Sequence, residues 1–369
     1  MVMENIKRRR FRKALFDAAL SVTNMKRQNK QVGLIGCGRI ARVHAEAIQH
    51  VEDLHLSAVC DVVEEKVDHF AQTYNARKVT SYADLLACDD IDLVTIATPN
   101  GTHFEIARAS FQAKKHVLIE KPVTIRNCDA EELISMAEAK GVHFFAVKQV
   151  RYNPAIRVVK SAIEAGHLGR IYNASLVVRW TRPQAYFDQV DWRGTRDLDG
   201  GTLLNQGIHY IDVMQWLVGD VDAVFGRTDC FCHDIELEDT AFGLIHFRSG
   251  ALGSVEFTVN TYPHNLECSL TILGETGSIK LGGSAMNQIE TWEVRDMSKP
   301  VVPEGFPPYV YEEGLYQGSC PNHLFVYQDI VKVFQGVQTA IVDGSEALRS
   351  MRIVNGLYES AGSGEEVRL

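Results

Sequence analysis

The chain has no apolar run of 18 residues, so nothing in it reads as a transmembrane helix. It has no CxxC pair and no Cys/His spacing suited to a metal. Its eight cysteines are scattered, and only Cys230 and Cys232 lie close together. That pattern fits reduced thiols in a cytoplasmic protein rather than a disulfide or zinc framework, and no metal is expected. A surplus of positive charge is also missing. The net charge is −9, which argues against general nucleic-acid binding. What remains is an ordinary globular composition, 46% hydrophobic and 23% charged. At 369 residues, two domains are the natural expectation.

The charge is unevenly spread. Residues 1–30 carry nine Lys and Arg against Glu4 and Asp17, a net of +7, so the remainder carries −16. Phe11, Leu15, Ala18 and Val22 recur at helical spacing. A membrane-surface or partner helix needs a larger apolar payload than this. A transit peptide would fit the arginines, but serine is scarce. The composition favours a disordered leader, or sequence upstream of a start at Met25.

From Gln31 the pattern becomes regular. Gln31–Ile35 reads as a short buried strand, followed by Gly36-Cys37-Gly38-Arg39-Ile40-Ala41 and a helix to His50. In this G-x-G-x-x-A turn Gly36 permits the tight bend and Gly38 lets the backbone approach a pyrophosphate. Ala41 lets helix and strand pack closely. A second strand, Leu54–Cys60, ends at Asp61, about 20 residues past the glycines as such a fold requires. A carboxylate there accepts ribose hydroxyls and repels a 2′-phosphate, so NAD is expected rather than NADP. Strands at Leu93–Ala97, His116–Ile119 and His143–Val147 alternate with helices near Tyr82–Ala87 and Asn127–Lys140, which argues for a doubly wound parallel sheet. Thr98-Pro99-Asn100-Gly101 reads as a turn, with Asn100 or Thr102 as a helix cap. His103 admits two readings, a surface residue or a cofactor contact. Glu120-Lys121-Pro122 follows the fourth apolar run, where ligands bind in open parallel sheets.

Taken together, Gly36 to Ala41, Ala97-Thr98-Pro99-Asn100 with His103, and Glu120-Lys121-Pro122 resemble the glucose–fructose oxidoreductase / inositol dehydrogenase / rhizopine-catabolism (Gfo/Idh/MocA) family. The resemblance runs from about Gln31 to the C-terminus. It implies an NAD-binding Rossmann domain over 31–150. It also implies a substrate-binding and oligomerisation domain over 151–369; a last helix, Glu346–Ser360, is expected to pack back on the body. It makes Lys121 catalytic and Lys121–Pro122 a candidate cis peptide. It implies a homo-oligomer, dimer or tetramer, through the open face of the second sheet, and contact of Trp192 and Arg193 with the cofactor.

The second half reads as a helix to about Ala165, then strands around 170–180, Val221–Phe231, Thr240–Phe247, Ala251–Thr258, Leu266–Leu273 and Ser278–Leu281. That is an antiparallel sheet with helices on one face. On a helix expected over Thr202–Val218, Asn205 and His209 lie four apart and share a face. Many relatives carry aspartate at the position of Asn205. An amide can orient an imidazole but cannot stabilise the imidazolium, and Asp212 is the residue placed to compensate. Oxidising a secondary alcohol needs a base and a cation for the developing alkoxide. His209 and Lys121 fit these roles, and which of them takes the proton stays open.

Substrate choice falls to the irregular segment, where arginine stands beside aromatics. The expected substrate contacts are Lys121, Arg151, Tyr152, Arg182, Gln184, Asn205 and His209. The expected cofactor contacts are Gly36, Gly38, Arg39, Ile40, Asp61, Thr98, Pro99, Asn100, His103, Glu120, Lys121, Gln149, Trp192 and Arg193. Arginine forks suit carboxylates and phosphates. Alternatively, individual arginines pair with Asp188, Asp191, Asp197 or Asp199. These segments look like the branch of the family that oxidises C3 of UDP-N-acetylglucosaminuronate for surface-polysaccharide synthesis. A dehydrogenase of inositol or another free sugar, a non-catalytic sugar or NAD sensor, and an NAD-dependent glycosidase-like enzyme are the alternatives. The Phe306–Tyr316 loop reads as a lid, a surface connection or a subunit contact, and Asn322 as the cap of a helix to about Phe334.

Overall fold

Runs such as Leu93–Ile96 and His116–Ile119 place apolar residues at consecutive positions, which suits strands covered on both faces. In the computed structural model, which describes residues 29–311, 316–338 and 342–369, six such runs form a parallel sheet. The leader expected over residues 1–30 lies outside the described residues apart from its last two.

The first half alternates β1 (Lys30–Ile35), α1 (Arg39–Gln49), β2 (Leu54–Cys60), α2 (Glu64–Tyr74), β3 (Arg77–Val79), α3 (Tyr82–Leu86) and β4 (Leu93–Ile96). It continues with α4 (His103–Gln112), β5 (His116–Ile119), α5 (Asn127–Lys140) and β6 (Phe144–Ala146). The strand order is β3-β2-β1-β4-β5-β6, every pair parallel. The order reverses between β1 and β4, so a crevice opens at their carboxyl ends. This is the expected doubly wound sheet. The three-residue β3 is too short to leave a periodic trace in the sequence.

The second half begins with α6 (Pro154–Glu164), whose proline stands at the helix start where its missing N–H costs nothing. Next come β7 (Ile171–Arg179) and the short helix α7 (Gln184–Phe187). A π turn (Leu203–Gly207) then leads into α8 (Ile208–Val218). Strands β8 (Val221–Asp229), β9 (Thr240–Phe247), β10 (Leu252–Thr258), β11 (Glu267–Gly274), β12 (Gly277–Gly282) and β13 (Gln288–Val294) follow. The chain closes with a small hairpin, β14 (Val310–Tyr311) and β15 (Tyr316–Gln317), then α9 (His323–Phe334), α10 (Gly344–Ser363) and β16 (Val367–Arg368). The large sheet runs β13-β12-β11-β7-β10-β9-β8-β16. It departs from the expected antiparallel pattern in one place: β7 lies parallel to β10. β7 leads the half in sequence yet sits mid-sheet, and the excursion through α7 and α8 is long enough for a parallel return. Strand β13 escaped sequence reading because it is an edge strand whose outward positions carry Glu290 and Glu293.

Helices α8 and α10 cover one face of this sheet. The opposite face leaves Phe242 53% and Leu244 63% exposed, with Tyr172 and Leu252 nearby in the same condition. Helix α9 packs on α1, and α10 packs on α5 as well as on β8, so the end of the chain returns to the first sheet. No described helix is long and apolar enough to cross a membrane.

Candidate active site

A cleft of about 1290 Å³ opens at the carboxyl ends of β1, β4 and β5 and runs under α8 and the irregular segment. At one end, Gly36 has φ +96°, and a Cβ there would strike the Ala97 carbonyl, so only glycine serves. A Cβ on Gly38 would meet nothing within 4 Å, which leaves room for a bulky anion beside it. No side chain caps the first turn of α1, so its amides remain for such an anion. The Asp61 carboxylate accepts from the N–H groups of Cys37 (2.7 Å) and Val63 (2.9 Å), holding the glycine turn, and still borders the cleft. Ile40, Thr98 and Pro99 line the same wall. These residues fit a dinucleotide.

The chemical end is built on the loop after β5. The Lys121–Pro122 peptide is cis, as the resemblance implies. Lys121 Nζ donates to both the backbone oxygen (2.6 Å) and the side-chain oxygen (2.8 Å) of Asn205. The Asn205 amide nitrogen in turn donates to Asp199. Contrary to the expectation from their spacing, Asn205 does not orient His209; Lys121 and Asp199 occupy both ends of its amide. Asp212 does not compensate either. It is taken by Arg151 (2.7 and 2.8 Å) and by Lys148 at 3.4 Å. His209 Nδ1 is buried without a partner among the described residues. Burial, then the nearby Lys121, hold the His209 imidazole well below its usual pKa, so it is neutral at pH 7. Burial also lowers Lys121 and pushes Asp199 up to about 6.

The π turn that carries Asn205 is held from outside. Glu238 accepts from the Leu203 N–H (2.6 Å) and the Tyr358 hydroxyl (2.8 Å), and that hydroxyl accepts from the Leu204 N–H (3.2 Å). Gly201, at φ +105°, makes this possible, since a Cβ there would strike Tyr358 and Glu238. The Asp199-Gly200-Gly201 corner thus serves the backbone as well as the site.

Beneath Lys121, one Glu120 oxygen accepts from His44 Nε2 (2.9 Å) and His323 Nε2 (3.1 Å), and the other accepts from the Lys121 N–H (3.0 Å). His44 Nδ1 meets the Tyr327 hydroxyl at 2.9 Å. Burial alone would raise Glu120, but these two imidazole hydrogen bonds pull it well below the usual carboxylate range. The three groups are close enough to bind a metal. Both imidazoles already donate to the carboxylate, and the cluster instead anchors the lysine loop. His323 stands 203 residues from Glu120, so nothing local in the sequence marks their meeting. Asn322 stands at the expected N-cap position, but its side chain does not bond the helix amides; its amide donates to Gln149 O and Asn153 Oδ1.

Of the remaining expected contacts, Gln149, Arg182, Trp192 and Arg193 border the cleft. Gln149 Oε1, Gln206 Oε1 and His323 Nδ1 are buried without partners among the described residues, and their side chains border the cleft. The Arg182 guanidinium lies over the rings of Trp180 (4.8 Å) and Tyr316 (4.7 Å). Arg193 lies 4.2 Å from the Tyr186 ring centre and donates to Gln189 (2.7 Å). Arg39 donates to the Tyr316 hydroxyl and to Gln189 (2.9 Å), and Arg42 to the Tyr309 hydroxyl (2.6 Å). The described part of the Phe306–Tyr316 loop therefore leans on α1 at the cleft.

Five further expectations are corrected. Arg151 is no substrate contact: it is 1% exposed and paired with Asp212 and Glu346. Tyr152 donates to Asp329 (2.7 Å) and stacks on Phe325, outside the cleft. Gln184 caps its own neighbourhood through Asp188 and the Asp234 N–H. His103 is fully buried, its nitrogens 2.8 Å from Pro122 O and 2.9 Å from Thr98 O, so it ties the β4 and β5 loops together instead of meeting a ligand. Neither Asn100 nor Thr102 caps α4; the Asn100 amide donates to Asp199 O (2.8 Å). Asp199 is the residue that sequence reading missed. Its Asp-Gly-Gly context was visible, but only as a possible arginine partner.

Residues 30–148 match the oxidoreductase family with an NAD-binding Rossmann fold, and residues 156–280 match the GFO/IDH/MocA C-terminal domain. Among solved structures, the WlbA dehydrogenase of Bordetella pertussis, in complex with NADH and UDP-GlcNAcA, is 37% identical. That match covers 92% of this chain and 99% of that one, with a TM-score of 0.83. The WlbA dehydrogenase of Chromobacterium violaceum, with the same two ligands, is also 37% identical, over 93% of this chain and 96% of its own, with a TM-score of 0.84. The myo-inositol 2-dehydrogenase of Thermotoga maritima is 28% identical over 235 residues, 61% of this chain and 67% of that protein.

Proposed function

The chain belongs to the GFO/IDH/MocA oxidoreductase family, and on that premise we propose that it oxidises C3 of UDP-N-acetylglucosaminuronate to a ketone, in a route to a surface polysaccharide. The protein is an NAD-dependent sugar oxidoreductase. The observation that carries the proposed substrate is the 37% identity, along nearly the whole chain, to two dehydrogenases solved with NADH and UDP-GlcNAcA. The cleft agrees with it. At about 1290 Å³ it exceeds the roughly 300–1,000 Å³ of ordinary small-ligand pockets, as two nucleotide-bearing ligands require. Arg182 and Arg193 bring positive charge to its wall.

NAD, when bound, accepts the hydride. The glycine turn and Asp61 hold it. His209, unprotonated at neutral pH, takes the hydroxyl proton, and Lys121 stabilises the negative charge that develops on the oxygen. Glu120, with His44 and His323, keeps the lysine loop in place.

The deciding experiment mixes protein, NAD and UDP-N-acetylglucosaminuronate, with myo-inositol and glucose in parallel, and follows reduced-nicotinamide absorbance. A rise with the nucleotide uronate alone is expected. A rise with inositol or glucose instead would remove the nucleotide-sugar assignment and leave the dehydrogenase.

Asp61→Asn keeps an acceptor for the Cys37 N–H but loses the charge. It is expected to raise the KM for NAD about tenfold, the scale of one charge-assisted hydrogen bond, and to narrow the preference over NADP. An unchanged NAD/NADP ratio would show that Asp61 serves the turn alone. The same reading makes the open sheet face a contact between copies of the chain. Phe242→Asp with Leu244→Asp is expected to convert a dimer or tetramer to monomer in light scattering. A wild-type protein that is already monomeric would rule this out.

A further inference from the structure

We propose that Asp199 is a positioning residue of this site: its buried carboxylate fixes the Asn205 amide so that the amide oxygen faces Lys121, and so delivers negative charge to the lysine through one intervening side chain. The proposal rests on the dehydrogenase reading above and adds to it a residue that no comparison assigns.

An amide has one accepting end and one donating end, so its orientation is set by whichever neighbour is least able to compromise. Asp199 is that neighbour. It is 1% exposed. One carboxylate oxygen accepts from the Gly194 N–H at 2.8 Å, and the other accepts from the Asn205 amide nitrogen. Its backbone oxygen accepts from the Asn100 amide at 2.8 Å, which fixes the residue itself. Gly200 and Gly201, with φ of +85° and +105°, turn the chain away immediately afterwards. Every hydrogen-bond neighbour of the carboxylate is a donor, so the group is satisfied as an anion. Although burial raises it, its value of about 6 leaves it ionised at pH 7.

The consequence falls on Lys121. Two of its N–H groups are committed to Asn205, one to the backbone oxygen and one to the amide oxygen. An ammonium has three, so one is left for a substrate oxygen. Asp199 supports the cationic form from a distance that keeps it out of direct competition for that third N–H. The other groups facing Lys121 are Glu120 on its own loop, Arg182 and Arg193 from the irregular segment, His209 on α8, Lys148 beyond β6 and His103 on α4. Asp199 also faces Arg193 and Tyr358. None of these changes in the variants below.

The test compares Asp199→Asn with the swap Asp199→Asn/Asn205→Asp. In the single variant residue 199 has one accepting oxygen, needed by Gly194, and presents its NH2 to Asn205. The Asn205 amide then turns its own NH2 toward Lys121, donor against donor. In the swap the carboxylate sits beside Lys121 and the amide behind it, so each donor again meets an acceptor. Two readouts serve. The titration of Lys121 by NMR of isotope-labelled lysine, assigned with Lys121→Arg, needs no substrate. The pH profile of kcat/KM is taken with whichever sugar reduces NAD in the wild type. Asp199→Asn is expected to lower the Lys121 titration and the alkaline limb of the profile by about 1 unit, the low end for losing a nearby opposite charge. Its kcat is expected to fall about tenfold or more, with NAD affinity within twofold of wild type. The swap is expected to return both readouts to wild-type values or above. A Lys121 titration unmoved in Asp199→Asn overturns the proposal. So does a folded, NAD-binding swap no better than the single variant. If Asp199→Asn fails to fold, the swap decides alone. Because the titration is read without substrate, failure of the sugar assignment is distinct from failure of this inference.

Discussion

Lys121→Ala is expected to lower kcat/KM about 10²- to 10³-fold, the usual loss when one donor to a developing oxyanion is removed. The fall should appear in kcat, because the interaction strengthens as the alkoxide forms. NAD should still bind, since the Gly36, Gly38 and Asp61 end of the cleft is untouched. Lys121→Arg should not restore the rate. Its planar fork carries a longer reach and a fixed donor geometry, whereas Nζ is held by two oxygens of one residue, at 2.6 and 2.8 Å. Stopped-flow reduction of NAD with the active sugar measures the hydride step directly. A variant that transfers hydride at the wild-type rate would exclude Lys121 from the chemistry and leave His209 to act alone.

Asp212→Ala is expected to be the most destabilising single change in the protein. Arg151 and Lys148 are 1% and 2% exposed, and Asp212 is the carboxylate they share. Removing it leaves two buried cations, of which, among the described residues, only Arg151 retains an acidic partner, Glu346, at 3.1 Å. Breaking a buried pair in this way costs about 3–5 kcal/mol. The urea midpoint of wild type and variant, compared at pH 7, measures the loss, and a difference under about 1 kcal/mol would refute the assignment, since that is the worth of a surface pair. The sign of the pH dependence follows from Asp212. Burial raises its pKa, but Arg151 and then Lys148 outweigh burial and hold it below its ordinary value. Its contribution is therefore fully present above the unfolded carboxylate pKa of about 3.9 and is lost as pH falls through the lower folded value. The gap between wild type and variant should be flat from about pH 5 to 8 and close only in stronger acid.

This network also explains the misreading of Arg151. Beside Tyr152 and Asn153-Pro154 it carries the local marks of a substrate arginine. Its partner lies 61 residues on, on a helix face that sequence periodicity could not aim. Asn205 shows the same limit. Its four-residue spacing from His209 would put both on one face of a regular helix, but a π turn over Leu203–Gly207 lies between them. Which neighbour would claim the amide depended on Lys121, 84 residues earlier, and on a glycine corner that brings Asp199 beneath it. The π turn adds to this, because nothing in Leu203–Gly207 distinguishes it from an ordinary helical start. Glu238 and Tyr358, which hold it, come from β9's approach and from α10.

The features that sequence alone determined are those whose causes lie within a few residues. Gly36 is required because the turn takes its backbone to φ +96°, a region that favours glycine, and that demand is written in the G-x-G-x-x-A spacing. Asp61 follows from strand length, and the parallel sheet from consecutive buried positions in β4 and β5. The position of Lys121 at a strand's carboxyl end, and of His209 on a buried helix, belong to the same class. Tertiary structure alone decided the partnerships: His44 and His323 on Glu120, Lys121 on Asn205, Asp212 between Arg151 and Lys148. Each joins residues whose proximity arises only when sheets and helices pack. In a buried site charge and hydrogen bonding must be satisfied by whatever that packing brings near. Residue type sets what a group can do, and the packed neighbours set whether it carries a charge, points at a ligand or holds another residue in place.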